Sequence, residues 1–393
     1  MRKQTVAGAC ALVLFCSTAM AQNLKFAPGE DSRFNWQSFE DFAARYDLSG
    51  QEMTLFGPWL GPDKDLIESI VAYFEEATGA DVAYSGSDSF EQQIVIDAQA
   101  GSAPNVAVFP QPGLAANLAA QGYLTPLGGE TADWLRENYA AGQSWVDLST
   151  YPDKDGNAQL FAFPYKIDVK SLVWYVPENF EDAGYEVPQT MEELKALTEQ
   201  IVADGGTPWC IGLGSGGAKA VASTDFRDSP AGLFSFPPGC YMHRQASFIP
   251  SFFPEGTELG VDADFFYFPP YGDKDLGNPV LGAGTLFAIT ADSEAARAFI
   301  EFLKTPIAHE LWMAQSGFLT PFTKVNPDAY ANDALKKQGE ILTNATTFRF
   351  DASDLMPGRI GAGAFWTGMV DYVSGKSAEE VTGDIQREWD AIK

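Results

Sequence analysis

Two kinds of side chain in this sequence are suited to holding a hydroxylated ligand: flat aromatics and groups that both donate and accept hydrogen bonds. Trp59 follows Gly57-Pro58 at the end of one apolar run, and Gln111 lies between Pro110 and Pro112 at the end of another. An indole gives apolar C–H surface something to stack on; the alternative is a tryptophan folded onto its own lobe. A glutamine amide donates and accepts, which matches a hydroxyl. Lys166 and Asp168 stand two apart in an extended run, so both project from one side. Charged groups bind hydroxyls more strongly than neutral ones do; a strand face on which the two simply pair is the alternative. Phe365 and Trp366 are adjacent aromatics within the small-residue stretch Gly361–Met369. Small neighbours let a second surface approach, whereas the plainer reading is a core tryptophan on a helix.

Other chemistries find less support. His243 and His309 are the only histidines, and two of the four cysteines, Cys10 and Cys16, fall in a leader. That argues against a metal site of the Cys/His kind. Cys210 and Cys240 then remain as an even pair, expected to close a loop of about thirty residues, with two buried thiols as the alternative. Gly282-Ala-Gly284 lacks the Lys-Ser/Thr of a phosphate loop and the spacing of a dinucleotide fingerprint. Gly214-Ser-Gly-Gly217 lacks the spacing of a nucleophile elbow. With 53 acidic residues, carboxylate pairs are inevitable, so a glycoside hydrolase stays open on counting alone.

The elements that must position these residues alternate strand and helix. Glu52–Pro58 predicts a strand, and residues 63–76 carry Leu66, Ile67, Ile70, Val71 and Phe74 on one helical stripe closed by Gly79. Strand 81–84, helix 90–100, strand 105–109 and helix 114–120 follow. This β-α-β series predicts a mostly parallel sheet with helices on both faces. Asp168–Val176 predicts one extended run, and Thr190 with Glu193 a capping box opening a helix to Ala203. Later expectations are strands at 209–213, 264–268 and 286–289 and a helix at 292–304. Ser377 with Glu380 makes a second capping box before the last helix. Residues 22–48 read as a peripheral arm.

Arg2 and Lys3, the apolar run Val6–Phe15 and Ala19-Met20-Ala21 have the three parts of a signal peptide, cleaved after Ala21. The apolar run is about half the ~20 residues a membrane span needs. Cleavage removes Arg2 and Lys3, taking the net charge of −28 to −30. Such an acidic chain without a Lys/Arg cluster repels phosphate backbones, so no nucleic-acid partner is expected. A mature length of 372 of the 393 residues suits two domains.

Four strings occur in order: Phe163-Pro-Tyr-Lys-Ile-Asp-Val-Lys-Ser-Leu-Val-Trp-Tyr175, Gln245-Ala-Ser-Phe-Ile-Pro-Ser-Phe-Phe-Pro254, Leu281-Gly-Ala-Gly284 and Gly363-Ala-Phe-Trp366. With them the chain, from about Leu24 to Lys393, resembles the alpha-glucoside-type periplasmic sugar-binding proteins of ABC importers, relatives of the maltose-binding protein. The resemblance implies a two-lobed α/β periplasmic-binding-protein fold of type II, joined by a hinge of several crossings. It places lobe I at 22–164 plus 285–320 and lobe II at 165–284 plus 321–393. It implies a periplasmic monomer that captures a sugar without a cofactor or catalysis and hands it to a membrane permease. By matching strings, Trp59 and Gln111 line the first lobe, Asp168 lies at the first crossing, and Gln245 and Trp366 belong to the other side; Lys166 and Gly284 join them as expected ligand-binding residues. In one place the pattern breaks. Relatives continue after Gly216-Gly-Ala218 with several tens of residues that include a Trp-Pro ligand loop, whereas Lys219 follows directly here. The second lobe is therefore expected to be shortened by an internal deletion after Ala218. Two alternatives follow: a secreted carbohydrate-active hydrolase, or a deletion product with impaired sugar binding.

Overall fold

In the computed structural model the described residues are 24–210, 224, 226–315 and 317–392. The leader, the Gly214-Ser-Gly-Gly217 loop and the junction after Ala218 lie outside them. Five strands form the spine of the main sheet: β1 (Glu52–Gly57), β2 (Asp81–Gly86), β3 (Val106–Phe109), β10 (Pro279–Ile289) and β11 (Thr347–Phe350), in the order β11-β10-β3-β1-β2. The pairings of β1 with β2 and β3 are parallel, as the β-α-β pattern predicts. Every residue of β3 is buried, as a central strand covered on both faces requires. A sixth strand, β6 (Ala162–Val169), lies antiparallel on β10. Two short strands, β4 (Thr150–Pro152) and β5 (Ala158–Leu160), form a separate ribbon before it.

Helices cover the sheet where the periodicity places them. Helix α2 (Pro62–Thr78) starts on Pro62 with Asp63 and Asp65 in its first turn, where a proline and acids suit the free N–H groups. It buries Ile67, Ile70, Val71 and Phe74, and ends as Gly79 takes a left-handed φ of 74°. Helices α3 (Phe90–Ala100) and α4 (Pro112–Ala120) match the sequence reading closely.

Residues 24–48 are not peripheral. Trp36, Phe39 and Phe42 recur at helical spacing on α1 (Trp36–Ala43) and are buried together with Phe34 and Leu48. The carboxylate of Glu310, itself buried, accepts the backbone N–H groups of Asn35 (2.5 Å) and Asn326 (2.8 Å). The arm is thus fixed to the core by packing and by a charge-assisted clamp.

The extended run at 168–176 also differs from expectation. It breaks at Lys170-Ser171, where the chain leaves the main sheet and enters a second, antiparallel one. There β7 (Leu172–Tyr175) pairs with β8 (His243–Gln245) and β9 (Asp264–Tyr267). Two helices, α7 (Pro177–Ala183) and α8 (Met191–Ala203), follow β7. At the start of α8 the Thr190 hydroxyl accepts the Glu193 N–H (3.2 Å). The Glu193 carboxylate takes the N–H of Gln189 instead of that of Thr190 (2.7 Å), so the expected box is only half made. The Ser377–Glu380 box is complete. Cys210 and Cys240 are bonded, with Cα atoms 5.3 Å apart, a link of the kind that stabilises by about 3–4 kcal/mol for a loop of this length.

His309 is fully buried, with Nε2 2.8 Å from the Leu303 carbonyl. Burial pushes its pKa down to about 3, only partly offset by that carbonyl. Its folded value lies below the unfolded value near 6.5, so the stability it contributes is complete above about pH 6.5. As pH falls from there towards 3, the unfolded chain alone takes the proton and stability drops, by up to about 1.4 kcal/mol per pH unit. The expected result is an imidazole NMR resonance of His309 that stays neutral down to pH 4 in the folded protein; titration near 6 would contradict it.

Candidate ligand-binding site

The site is built on two long strands of the main sheet that run antiparallel to one another, β6 and β10. They pair Ala162 with Ala288 at one end and Val169 with Gly282 at the other. The register shifts between Thr285 and Leu286: Thr285 faces Lys166 and Leu286 faces Pro164, leaving Tyr165 unmatched. A bulge suits Pro164, which has no ladder N–H to give. On one side of the ribbon Ala162, Leu286 and Ala288 pack into a core cluster. Beyond the bulge β6 carries Lys166 and Asp168, paired with Thr285 and Ala283 of β10. Phe163, Tyr165, Ile167 and Val169 are all buried in the larger core cluster.

The polar stretch is tightly connected. Lys166 Nζ lies 3.3 Å from Asp168 Oδ2, with both side chains mostly buried. The Ser247 hydroxyl donates to Asp168 Oδ1 (3.1 Å) and accepts the Val169 N–H (3.1 Å). Thr285 Oγ1 is buried with no hydrogen-bond partner among the described residues. Gly284 sits opposite Ile167, and a Cβ there would lie 2.7 Å from Ile167 Cδ1 and 2.8 Å from the Lys166 carbonyl. Its small size is required by the close approach of the strands.

Ser247 also lines an open recess of about 730 Å³ between the loop 250–261, Gly317 and the start of helix α11 (Asp333–Thr343). Its polar wall includes Ser251, Thr257, Glu258, Asn332 and Asp333. The volume falls in the range of small-ligand pockets, and hydroxyls, an amide and carboxylates are the groups that bind polyols.

A second ionic cluster lies one step further along β6. Lys170 Nζ is 3.0 Å from both Asp351 and Asp354. Burial pulls the Lys170 ammonium down, but the two carboxylates outweigh it and raise its pKa. Burial raises Asp354, only partly offset by Lys170, whereas for Asp351 the lysine prevails over burial and holds the acid below its usual range. The Asp354 carbonyl accepts the Gly113 N–H (3.1 Å) at the start of α4. A Cβ at Gly113 would lie 2.0 Å from the Met356 carbonyl, so this segment rests directly on the helix that Gln111 caps.

The expected site residues are therefore only partly gathered. Lys166, Asp168 and Gly284 share the ribbon, and Gln245 ends β8 two residues before Ser247, with Oε1 accepting the Ala246 N–H (2.9 Å). Gln111 is half-buried at the start of α4, at the carboxyl edge of β3. Trp59 follows β1 but is only 7% exposed, its ring edge-on to Trp312 at 5.4 Å and tilted against Phe287. Its ring is thus packed into the core and turned away from solvent. Trp366 starts helix α12 (Trp366–Val373) and is 69% exposed. Sequence reasoning missed Ser247, Lys170, Asp351 and Asp354. Lys170 continues the i, i+2 series of Lys166 and Asp168, and that alternation was the available signal.

Comparison with known proteins gives this geometry a lineage. The family model "Bacterial extracellular solute-binding protein" matches residues 58–238. The alpha-glucosides-binding periplasmic protein AglE of Rhizobium meliloti is 60% identical over 458 aligned positions, covering all of both chains. Since this chain has 393 residues, at least 65 of those positions fall opposite gaps in it. The osmoprotective compounds-binding protein GgtB of Synechocystis is 35% identical, over 87% of this chain and 93% of its own. Among solved structures, the solute receptor AcbH, reported to prefer β-D-galactopyranose exclusively, superposes with a TM-score of 0.68 at 16% identity. That match covers 87% of this chain and 99% of AcbH, and it establishes the fold as the type II arrangement expected from the sequence. The chain belongs to the family of bacterial extracellular solute-binding proteins.

Proposed function

We propose that this chain is the substrate-binding component of a carbohydrate ABC importer, capturing an alpha-glucoside or similar oligosaccharide between its lobes and delivering it to a membrane permease. The observation that carries the reading is the Lys166–Asp168–Ser247 network on the strand ribbon, bordering a polar recess of sugar size. The 60% identity to a protein named for alpha-glucosides supports it. The protein acts in the periplasm after cleavage behind Ala21, and it binds without turnover. Lobe I comprises 22–164 plus 285–320, and lobe II 165–284 plus 321–393. Gln111, Gln245 and Trp366 complete the contacts, with Trp59 reaching the ligand only if its packing rearranges.

The positions absent relative to AglE are assigned to the junction after Ala218. Support comes from α12, where Trp366, Met369 and Val370 recur at helical spacing and are all exposed. A helix face of that kind is what a shortened lobe leaves uncovered.

The test is a thermal-shift and calorimetry panel of maltose, sucrose, trehalose and lactose on the mature protein. At a thousandfold excess over Kd an alpha-glucoside should stabilise by about 4 kcal/mol, with no release of nitrophenol from an aryl α-glucoside. A panel in which no glucoside moves the midpoint would sink the proposal.

A further inference from the structure

Phe236 is 95% exposed, more than any other large apolar residue described. It stands on the loop 235–239, between a short 3₁₀ turn (Ser229–Phe234) and β8. This loop is braced at both feet. The Ser235 hydroxyl lies 3.1 Å from the Gly232 and Pro237 carbonyls and accepts the Gly239 N–H at 2.8 Å. The Gly239 N–H also reaches the Gly232 carbonyl (2.9 Å), and the next residue, Cys240, is bonded to Cys210. Gly232 allows the close approach, since a Cβ there would lie 2.4 Å from Cys240 Sγ. Phe236 is therefore held out into solvent by structure that costs it little freedom on binding.

The aromatic is not isolated. It edges a cavity of about 520 Å³ with Phe234 and Val261, and Glu178, Glu181 and Asp262 line the same cavity. A preorganised aromatic beside an apolar recess is the composition of an interface hot spot. The acids fix the partner's chemistry: an apolar socket flanked by Lys or Arg. A second copy of this chain, with net charge −28, would bring like charge against like.

We propose that the disulfide-braced Phe236 loop and its acidic cavity form a docking surface for the importer's membrane permease. This rests on the receptor reading above but concerns a surface apart from the ligand network. The experiment measures binding of the mature protein to the cognate permease–ATPase complex in nanodiscs by interferometry, with sugar binding measured separately by calorimetry. Phe236→Asp should weaken permease binding at least tenfold. Glu178→Lys with Glu181→Lys should weaken it and flatten its salt dependence. Both variants should keep the wild-type melting midpoint and sugar affinity, and Val202→Asp, another exposed apolar position, should bind the permease like wild type.

Permease affinity within twofold of wild type in Phe236→Asp, an equal loss in Val202→Asp, or no permease binding by the wild type would overturn the proposal. So would a concentration-dependent dimer that Phe236→Asp abolishes, which would assign the loop to self-association. Loss of sugar binding in all forms counts against the receptor reading alone, because the docking comparison is read independently of it.

Discussion

Replacing Asp168 by alanine is expected to cut alpha-glucoside affinity at least a hundredfold, about 2.7 kcal/mol, and to lower the melting midpoint by several degrees. The two losses have separate causes. Among the described residues Asp168 is the one acceptor shared by Lys166 and Ser247, so its removal leaves a mostly buried ammonium without that partner. Breaking one side of a buried ion pair destabilises by roughly 3–5 kcal/mol; the upper end is not expected, because about a tenth of each side chain reaches solvent. Asp168→Asn keeps the shape and an acceptor for Ser247. It should recover most of the stability while still losing most of the affinity, since a neutral amide binds a sugar hydroxyl more weakly than a carboxylate does. Calorimetric titration of the alanine variant within threefold of wild type would remove Asp168 from the site.

Trp312→Ala is expected to lower stability by about 3–5 kcal/mol, the range for deleting a large aromatic from a packed core. Trp312 is fully buried on α10 (Pro306–Met313), stacked on Phe318 at 5.1 Å and edge-on to Trp59 and Tyr165. These contacts join the segment after β1, the strand β6 and the chain at Phe318, so the cavity left cannot collapse by moving one element. Its indole Nε1 is also buried without a partner among the described residues. Trp312→Phe removes that unsatisfied donor along with some surface, and the two changes offset in part. A loss under about 2 kcal/mol is expected for it. Urea midpoints at constant slope measure both; equal losses for alanine and phenylalanine would show that cavity size does not govern this position.

The scaffold of β1–β3 and its helices was legible because its signals are local. The stripe on α2, the Gly79 stop and the apolar run of β3 each need only their own neighbours to be read. The aromatic spacing on α1 was just as regular, and treating 22–48 as peripheral overlooked it. The site was legible only as far as strand alternation reaches, which covers Lys166 and Asp168. Ser247 sits 79 residues from Asp168, and Asp351 and Asp354 lie more than 180 residues from Lys170; such pairings leave no periodic trace. Trp59 shows the converse difficulty. A tryptophan at a strand's carboxyl edge looks like a ligand platform, yet whether its ring turns outward depends on Trp312 and Phe287, both far along the chain.

The unmatched Tyr165 has a mechanical consequence. Where β6 and β10 are in register, bending the ribbon strains every rung equally. At Tyr165 there is one more residue on β6 than on β10, so the strands can slide and twist there without a rung being lost. Compliance is thus concentrated at one point, with a stiff three-stranded segment on the β3 side. The polar groups begin immediately on the other side of that point. Motion about it would swing Lys166 and Asp168 as a unit, preserving their 3.3 Å spacing while changing what stands opposite them. Were the strands to flex at the bulge, Lys166 and Asp168 would ride together on the segment beyond it, and a change of angle there would become a change in what the two can reach.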